Sequence, residues 1–534
     1  MYIPECTIAY QRKDGTQYSG SLKASGLKAQ VSDRNGEICV VINPSEHLRL
    51  ISFTMTFHWI CETDERFFMN GFRSDSPCME TGRDNRYSVF STYLRNYMRV
   101  STAAKLFSSY DIHNGSPMGF SYCYFRTSRN NFRLLASLNE RNGYTIFQYD
   151  GIDSTIYISK DVEGISLGLG EYKLMSIKIY DGPEDYVFGQ WFDDLNLPRL
   201  EMQPTGGFST NAMGYQVDAL GIEESLDNIE TISAENKLFL VAEGWSVAKG
   251  DWTPAPYKFP EGMAQVARRI HDRGLKAALW ISPFSIDRRS QLASKHRDWI
   301  KRDRNNKIVN SPMDVNLVAL DVSRADVMDY IRRLIDTVVN QWGFDMVVAG
   351  DLYMAGLVAV EGQSRAASMY QAMEVLREIT GSTPVMAEDV PLMPAFGQVD
   401  YCHISTGASV STKAAIRSVR SLVDYFTPDR SVMGALFRRQ LNGRAWVNTP
   451  KEYSLSKQFV KALDTSKKAG ALVSGMLGMP QLITDNPTVY DEEQQKLIFE
   501  NMQGTQRKIC RTYEEKNKVV VEYLDNGEIC RVKL

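Results

Sequence analysis

The hydrophobic and polar positions of this chain follow two different periods, one before and one after about residue 200. In the first part, short runs rich in Val, Ile, Thr, Tyr and Phe alternate with turn signals, as in EICVVI, RLISFTMTF, GFSYCYF and STIYIS. Such runs indicate strands that bury one face, and many of them at close spacing are typical of a β-sandwich. We therefore predict an N-terminal β-sandwich over residues 1–200.

Over residues 201–500 the pattern changes to strands that alternate with helices. RADVMDYIRRLIDTVVNQWG illustrates a helix, because Val327, Ile331, Leu334, Ile335 and Val338 recur at helical spacing. We predict eight strands at GFSTNAMGY, KLFLVAEGW, LKAALWISPF, FDMVVAGDLY, TPVMAEDV, VDYCHIS, SVMGALFRR and AGALVSGMLG. Eight strand–helix units predict a (β/α)8 TIM barrel. A doubly wound sheet is the alternative, but no glycine-rich phosphate loop follows a predicted strand.

The tail, residues 501–534, returns to a strand pattern. KICRTYEEKNKVVVEYLDNGEICRVKL predicts two or three strands around a DNG turn, which form a small C-terminal β domain. The fold class predicted for the whole chain is thus multidomain, with a β-sandwich, a central TIM barrel and a β appendage.

Composition narrows the classes of function. The chain is 43% hydrophobic and 23% charged with a net charge of −3, so no basic surface indicates nucleic acid. No run of about 18 apolar residues predicts a membrane span, and the absence of a secretory signal in MYIPECTIAYQRKDG leads us to expect a cytoplasmic protein. The eight cysteines and six histidines lack metal-ligand spacing, so we expect neither a metal nor a cofactor. Oligomeric state is left open, with a homo-oligomer as one option.

The predicted strand ends carry many carboxylates and tryptophans, and barrel sites form at the carboxyl ends of the strands. Aromatic rings stack on sugar faces, carboxylates and amides bind hydroxyls, and paired carboxylates can cleave a glycosidic bond. The alternative for each side chain is structural, such as a loop cap, barrel core or surface ion pair. The candidates are Glu243, Trp245, Asp251, Trp252, Trp280, Asp351, Glu388, Asp389, His403, Arg438, Arg439 and Asn448.

Several motifs resemble the α-galactosidase (melibiase) family of retaining glycoside hydrolases, including its raffinose-synthase-like branch. They are GWSVAKGDWTPAPYKFPEGMAQVARRIHDRGLKAALWISPF, KHRDWIKRD, LVALDVSRADVMDYI, GFDMVVAGDLYMAG, VPLMPAFGQVDYCHI and NGRAWVNTP, in the family's order. The resemblance implies the same three-domain fold, a glycoside or oligosaccharide as ligand, and no cofactor.

The active-site residues depart from the family pattern that the resemblance implies. Ala242 and Glu243 replace two aspartates on the second strand, and the lysine of the fourth strand is gone. The nucleophile position falls on Gly350 when counted from Phe344 and on Asp351 when counted from Gly356.

On the next strands, Glu388 and Asp389 are new acids where the family has Gly-Cys-Gly. His403 replaces an arginine, Gly407 stands where the acid/base aspartate belongs, and VNTPK keeps Asn448 of the family's Asn-Asp-Pro-Asp.

Two hypotheses follow from these departures. In the first, the protein is a catalytically inactive relative that binds a sugar or acts as a scaffold. In the second, it is a glycosidase with a rebuilt site, in which Asp351 is the nucleophile or base and Glu388 or Asp389 is the acid. The remaining candidates would then bind the substrate.

Overall fold

The computed structural model describes residues 4–76, 78–83, 106–110, 116–127, 130–201, 206–230, 237–360, 362–404, 428–450, 452, 461–484, 490–502, 504–505, 507–516 and 518–533. The N-terminal prediction is confirmed, because two seven-stranded antiparallel sheets pack face to face. Their fourteen strands, within the described ranges, are β1 (Glu5–Arg12), β2 (Gln17–Ser21), β3 (Lys28–Arg34), β4 (Glu37–Asn43), β5 (Leu48–His58), β6 (Arg66–Met69), β7 (Glu80–Gly82), β8 (Met118–Phe120), β9 (Tyr122–Arg126), β10 (Asn131–Ser137), β11 (Thr145–Asp150), β12 (Thr155–Lys160), β13 (Ser166–Leu167) and β14 (Tyr172–Pro183).

The order in one sheet is β2-β1-β5-β12-β11-β8, with β13 paired to β5, and in the other it is β3-β4-β14-β10-β9-β6-β7. The apolar members of each alternating run point inward. Phe53 and Met55 of β5 meet Val40 of β4 and Phe125 of β9 in one buried cluster. The period of two in the sequence therefore builds the sandwich core.

The central domain is a TIM barrel of eight parallel strands in the order of the chain. They are β15 (Gly207–Ser209), β16 (Leu238–Val241), β19 (Lys276–Ile281), β22 (Met346–Ala349), β23 (Val385–Ala387), β24 (Tyr401–His403), β25 (Val447–Thr449) and β26 (Leu482–Ile483). The sheet order is β25-β24-β23-β22-β19-β16-β15-β26, so the eighth strand lies beside the first and the sheet curls back on itself.

Alternate residues of these strands face the barrel interior. Leu240, Ala278, Met346, Val348 and Met386 form one interior cluster, whereas their neighbours along each strand pack outward against the helices. Because both faces are covered, the strands consist of nearly continuous apolar residues.

The helices, numbered in chain order, surround the barrel. They are α1 (Glu184–Asp194), α2 (Ala219–Glu230), α3 (Met263–Asp272), α4 (Gln291–Lys295), α5 (Ala325–Asp336), α6 (Arg365–Thr380), α7 (Leu392–Ala395), α8 (Pro428–Phe437), α9 (Lys461–Met476) and α10 (Glu492–Asn501). The five apolar positions that predicted α5 and its extension are all buried. None of the helices in the described ranges is long and apolar enough to cross a membrane.

The predicted seventh and eighth strands are wrong. SVMGALFRR lies mostly in helix α8 and AGALVSGMLG in helix α9, whereas the true strands are β25 and β26. Both helical segments are buried on most sides, so their apolar residues form a near-continuous run without a clear helical period. The true strands are three and two residues long, too short to show any period.

Two small pairs of antiparallel strands, which we call hairpins, project from the carboxyl ends of the barrel strands. One pairs β17 (Ser246–Ala248) with β18 (Asp251–Pro254), and the other pairs β20 (Ser285–Asp287) with β21 (Leu317–Ala319). The C-terminal prediction is also confirmed, as β27 (Ile509–Glu515), β28 (Lys518–Tyr523) and β29 (Ile529–Lys533) form one antiparallel sheet. Tyr523 anchors that sheet by donating to the Met476 carbonyl oxygen at 3.0 Å.

Buried arginines join the β-sandwich to the barrel. Arg365 of α6 forms a bidentate pair with Asp161, which follows β12, at 2.8 and 3.0 Å. Arg438 is fully buried and donates to Asn70 Oδ1 at 2.9 Å. It also donates to four backbone carbonyl oxygens, those of Arg73, Ser74, Ser76 and Ile404. One side chain thus fixes residues 70–76 to the end of strand β24.

We expect Arg438→Met to lower the free energy of unfolding by more than about 3 kcal/mol, because each buried acceptor left unsatisfied costs about 1–3 kcal/mol. Urea denaturation followed by tryptophan fluorescence measures the loss. Arg332→Met is the control, since Arg332 is half exposed and pairs with Asp329 on the surface. A loss no larger than that of the control would show that Arg438 does not hold the domains together.

Candidate functional site

A cavity of about 380 Å³ opens at the carboxyl ends of strands β16 and β19. Its size is near the lower end of the about 300–1,000 Å³ found for small-molecule sites. The two projecting hairpins form much of its wall. The lining residues are Tyr215, Glu243, Gly244, Trp245, Ser246, Val247, Ala248, Lys249, Trp252, Trp280, Asp287, Arg289, Asp314 and Leu317.

The centre of the site is an ammonium group bound to two carboxylates. Lys249, at the tip of the β17–β18 hairpin, places Nζ 2.8 Å from Asp351 Oδ2 and 3.2 Å from Glu243 Oε1. The same ammonium lies 4.8 Å from the centre of the Trp280 ring, a cation–π contact. Tyr215 donates its hydroxyl to Glu243 Oε1 at 2.7 Å. We call Glu243, Lys249 and Asp351 the charged triad.

The charged triad is largely shielded from solvent, which affects its ionisation. Burial raises the pKa of the Asp351 carboxyl above its usual range, and the Lys249 ammonium offsets this only in part. Burial would lower the pKa of Lys249, but Asp351 and Glu243 together raise it above the usual lysine value. Lys249 therefore stays charged at every physiological pH. The pKa of Asp351 is raised by burial and by the neighbouring carboxylates and is lowered by Lys249.

Asp351 reaches Lys249 because the backbone turns sharply after strand β22. Met346 and Val348 face the barrel interior, and by alternation Gly350 faces the same way. The next residue, Asp351, adopts a left-handed backbone with φ of 53° and begins the short helix Leu352–Gly356. This conformation is uncommon for a residue other than glycine and is a form of strain that concentrates at functional sites.

Trp280 explains why residue 350 is glycine. A Cβ atom at this position would lie 2.5 Å from Cζ2 of the Trp280 indole. The ring of Trp280 therefore occupies the space that a side chain at position 350 would need. A carboxylate side chain at position 350 is excluded while Trp280 keeps this position.

Glu388 and His403 form a second polar group behind Trp280. Trp280 donates Nε1 to Glu388 Oε2 at 3.0 Å, and His403 Nδ1 lies 2.8 Å from Glu388 Oε1. Both Glu388 and His403 are buried. Asp389 follows with φ of 55°, and its carbonyl oxygen accepts from the Tyr353 amide at 3.1 Å. Among the described residues that line the cavity, neither Glu388 nor Asp389 is present.

The other aromatic candidates form the wall of the cavity. Trp245 is fully buried, stacks on Trp252 with ring centres 5.8 Å apart, and donates to the Trp280 carbonyl oxygen at 2.9 Å. Trp252 also contacts Trp280 edge to face, with ring centres 6.3 Å apart. The three tryptophans thus form one continuous surface, of which Trp245 and Trp280 are buried and Trp252 is half-buried.

Three candidates are occupied by structural contacts away from the cavity. Asp251 accepts from the Gln291 and Leu292 amides at 2.7 and 2.9 Å and so caps helix α4. Arg439 pairs with Glu184 of helix α1 and lies in the interface with the β-sandwich, together with Arg438, rather than at a strand end. Asn448 of strand β25 is fully buried and accepts from Trp446 Nε1 at 2.8 Å. Their sugar-binding roles stay predictions that this geometry does not support.

The structure adds residues that the sequence did not single out. Lys249 is two residues before Asp251 of the GDW motif. Its place in the stretch AKGDW was the signal in the sequence that could have identified it. Asp287, Arg289 and Asp314 reach the cavity from the β20–β21 hairpin and its connection, where no motif marks them. Gly407, the predicted site of the lost acid/base, lies outside the described residues.

A parallel barrel with a cavity of tryptophans and carboxylates at the strand ends is the arrangement of barrel proteins that act on sugars. Comparison with known proteins narrows this class. Residues 214–408 match the family model described as Melibiase. This match confirms the resemblance to the melibiase (α-galactosidase) family that the sequence motifs predicted.

Individual relatives agree with this assignment. Alpha-galactosidase AgaA of Geobacillus stearothermophilus is 33% identical over 128 residues, which cover 22% of this chain and 17% of that protein. Alpha-galactosidase Mel36A of Lactobacillus acidophilus is 30% identical over 133 residues, which cover 23% of this chain and 18% of that protein. The matched segments thus span less than a fifth of these relatives.

Solved structures extend the likeness to the whole fold. TtGalA, an alpha-galactosidase from Thermus thermophilus solved with p-nitrophenyl alpha-D-galactopyranoside, superposes with a TM-score of 0.71 at 19% identity, covering 94% of this chain and 98% of TtGalA. The GH36 alpha-galactosidase AgaB from Geobacillus stearothermophilus gives a TM-score of 0.61 at 12% identity, covering 97% of this chain and 79% of AgaB. At these identities the likeness establishes the fold alone.

Two substitutions in the charged triad should differ in how much stability they remove. Lys249→Met leaves Glu243 and Asp351 without their shared cation, so we expect a loss near the lower end of the about 3–5 kcal/mol that breaking a buried pair costs. Asp351→Asn loses the same ion pair but also relieves the repulsion from Glu243 and Asp389, so we expect a loss below about 1 kcal/mol. Urea denaturation of both variants tests the order.

The pH dependence of this contrast has a defined sign. Without Lys249 the folded-state pKa of Asp351 rises further above its unfolded value of about 3.9. The folded state then binds more protons than the unfolded state above that value, so stability falls as pH rises. The deficit of Lys249→Met should be larger at pH 8 than at pH 5, and smaller in the double variant with Asp351→Asn. A deficit that is independent of pH would contradict the triad.

Gly350→Ala tests the packing of Trp280. The new methyl group must displace the indole, so we expect a loss of about 1–3 kcal/mol, as for other overpacked sites. In a Trp280→Phe background Gly350→Ala should cost less than in the unmodified protein, because phenylalanine lacks the Cζ2 atom that the methyl group meets. Gly189→Ala in helix α1 is the control, since a Cβ there meets nothing within 4 Å. Equal effects at both glycines would contradict the steric account.

Proposed function

We propose that this protein binds a neutral glycoside, such as an α-galactoside, in the cavity and does not hydrolyse it by the two-carboxylate mechanism of its relatives. The observation that carries the proposal is the charged triad beside the tryptophan wall. Sugar recognition needs aromatic surfaces and fixed hydrogen-bonding groups, and the cavity offers both. TtGalA, which has the same fold, has also been solved with stachyose.

The state of the carboxylates supports binding over hydrolysis. A retaining glycosidase needs two carboxyl groups about 5–5.5 Å apart that flank the scissile bond. Asp351 is bound to Lys249, and both oxygens of Glu388 are occupied by Trp280 and His403. Groups that already have partners are suited to hold a fixed shape. They are less suited to exchange protons with a substrate.

The charges around the cavity support a neutral ligand. Three acids line it (Glu243, Asp287 and Asp314), against two bases (Lys249 and Arg289). Asp351 adds a fourth carboxylate beneath Lys249. This excess of negative charge disfavours acidic sugars and sugar phosphates, because like charges at close range repel strongly when partly desolvated.

A second candidate function is glycoside hydrolysis by a rebuilt site. The raised pKa of the buried Asp351 carboxyl beside the cavity is the observation that favours it, since catalytic groups often have perturbed pKa values. Asp351 would then act as nucleophile or base, with Glu388 or Asp389 as the acid.

A glycan-binding screen and an aryl-glycoside hydrolysis assay on the purified protein separate the two functions. The variants are Glu243→Ala, Asp351→Asn and Asp389→Asn, with the surface change Asp329→Asn as control. We expect binding without turnover. Glu243→Ala should weaken binding about 10- to 100-fold, which corresponds to loss of a charged hydrogen bond. Asp389→Asn and the control should bind as the unmodified protein does.

Other outcomes would overturn this proposal in distinct ways. Turnover that disappears in both Asp351→Asn and Asp389→Asn would establish the rebuilt glycosidase. Absence of binding to any glycoside in the screen would leave the cavity without a sugar-binding role.

A further inference from the structure

The exposed apolar side chains of the barrel are concentrated at one place. Within the described part of residues 206–484, six large hydrophobic residues are exposed: Tyr215, Leu220, Val247, Tyr257, Ile308 and Val315. All of them except Ile308 lie in the cavity wall or beside it. We call these five residues the apolar rim. Isolated exposed hydrophobic residues are normal, but their concentration around a cavity indicates a binding surface.

Lining contacts, hydrogen bonds and chain neighbours connect the rim to the cavity. Tyr215 and Val247 line the cavity directly, and Val315 follows the lining residue Asp314. Lys258 links the remaining two. Its Nζ donates to the Tyr215 carbonyl oxygen, and its own carbonyl oxygen accepts from the Ala219 amide at 3.0 Å. The Tyr257 ring centre lies 5.9 Å from that Nζ, and Leu220 is the chain neighbour of Ala219, so both residues lie near Tyr215.

We propose that the apolar rim binds an apolar aglycone, so that the natural ligand is a glycoside whose sugar enters the cavity and whose aglycone lies across the rim. This inference rests on the proposed sugar-binding function and specifies its ligand class. The cavity of about 380 Å³ accommodates a small polar head. The rest of a larger ligand must then leave through the opening, where the rim meets it.

The chemistry of the rim favours an apolar aglycone over further sugar units. Three of its five members are aliphatic and offer no hydrogen bond to a hydroxyl group. Its side chains are between 46% and 84% exposed, so a ligand that covered them would remove much apolar surface from water. Tyr215 belongs to both the cavity and the rim. Its hydroxyl donates to Glu243 within the site, and its ring is exposed to solvent.

Isothermal titration with methyl, octyl and p-nitrophenyl α-D-galactopyranoside, together with raffinose, tests the proposal on the full chain. We expect octyl galactoside, kept below its micellar concentration, to bind at least about tenfold more tightly than methyl galactoside, because added methylene groups are buried. Raffinose should bind no more tightly than methyl galactoside. The double change Val247→Ser and Tyr257→Ser should abolish the octyl preference. Tyr257→Ser alone, which lies outside the cavity lining, should reduce that preference while methyl galactoside binds within about twofold of its original affinity.

Matched variants isolate the rim. Ile308→Ser removes the exposed hydrophobic residue that is outside the rim and should keep the octyl preference. Tyr215→Phe retains the ring and should keep it as well. Equal binding of methyl and octyl galactoside would overturn the rim proposal and leave sugar binding intact, whereas no binding of any probe would overturn the proposed α-galactoside-binding function too.

Sedimentation velocity on the same proteins tests whether the rim instead binds a second copy of this chain. A dimer that dissociates in the Val247→Ser and Tyr257→Ser variant, with the octyl preference unchanged, would overturn the proposal and assign the rim to subunit contact. A mass that is the same in both proteins, together with loss of the octyl preference, would support the aglycone site.

Discussion

A buried guanidinium needs a partner for each of its donors, and this requirement fixes how the two large domains meet. Among the described residues, the hydrogen-bond partners of Arg438 are Asn70 and four backbone carbonyl oxygens rather than a carboxylate. Because an unsatisfied charged donor in the interior is very costly, residues 70–76 can adopt few other positions. This placement carries Arg73 over the ring of Tyr353, 4.8 Å from its centre, next to the ends of strands β22 and β23. The β-sandwich thus helps to shape the site without lining the cavity.

The charged groups of the site also need partners, for the same reason. Carboxylates that are removed from water must be paired, protonated or hydrogen-bonded. Lys249 forms ion pairs with Asp351 and Glu243, whereas Glu388 is paired with Trp280 and His403. Each of these carboxylates thus has a partner that fixes its position.

The fold could be predicted from sequence wherever the apolar positions of an element had a clear period. The strands of the β-sandwich and helix α5 have alternating or helical apolar positions, and both were predicted. Strands β25 and β26 could not be, because they have three and two residues and depend on tertiary pairing. Trp280 and Glu388 were recognised as candidates from their places at strand ends. Their mutual hydrogen bond, and the hairpin that brings Lys249 to Asp351, depend on contacts between residues about 100 positions apart in the chain, which no local pattern records.

The position of Lys249 shows how a loop outside the barrel can bring a charge to the cavity. Lys249 comes from a hairpin outside the barrel, and the hairpin is held by packing that only glycine allows at position 250. Gly250 has φ of 100°, and a Cβ atom there would lie 2.7 Å from Cγ2 of Ile286 in the neighbouring hairpin. The Gly250 carbonyl oxygen accepts from the Tyr330 hydroxyl at 2.5 Å, and that of Lys249 accepts from the Asp287 amide at 2.9 Å. Loops fixed this firmly can carry a charge into the site as precisely as a strand can. The barrel core determines the fold, and the two hairpins determine which groups face the ligand.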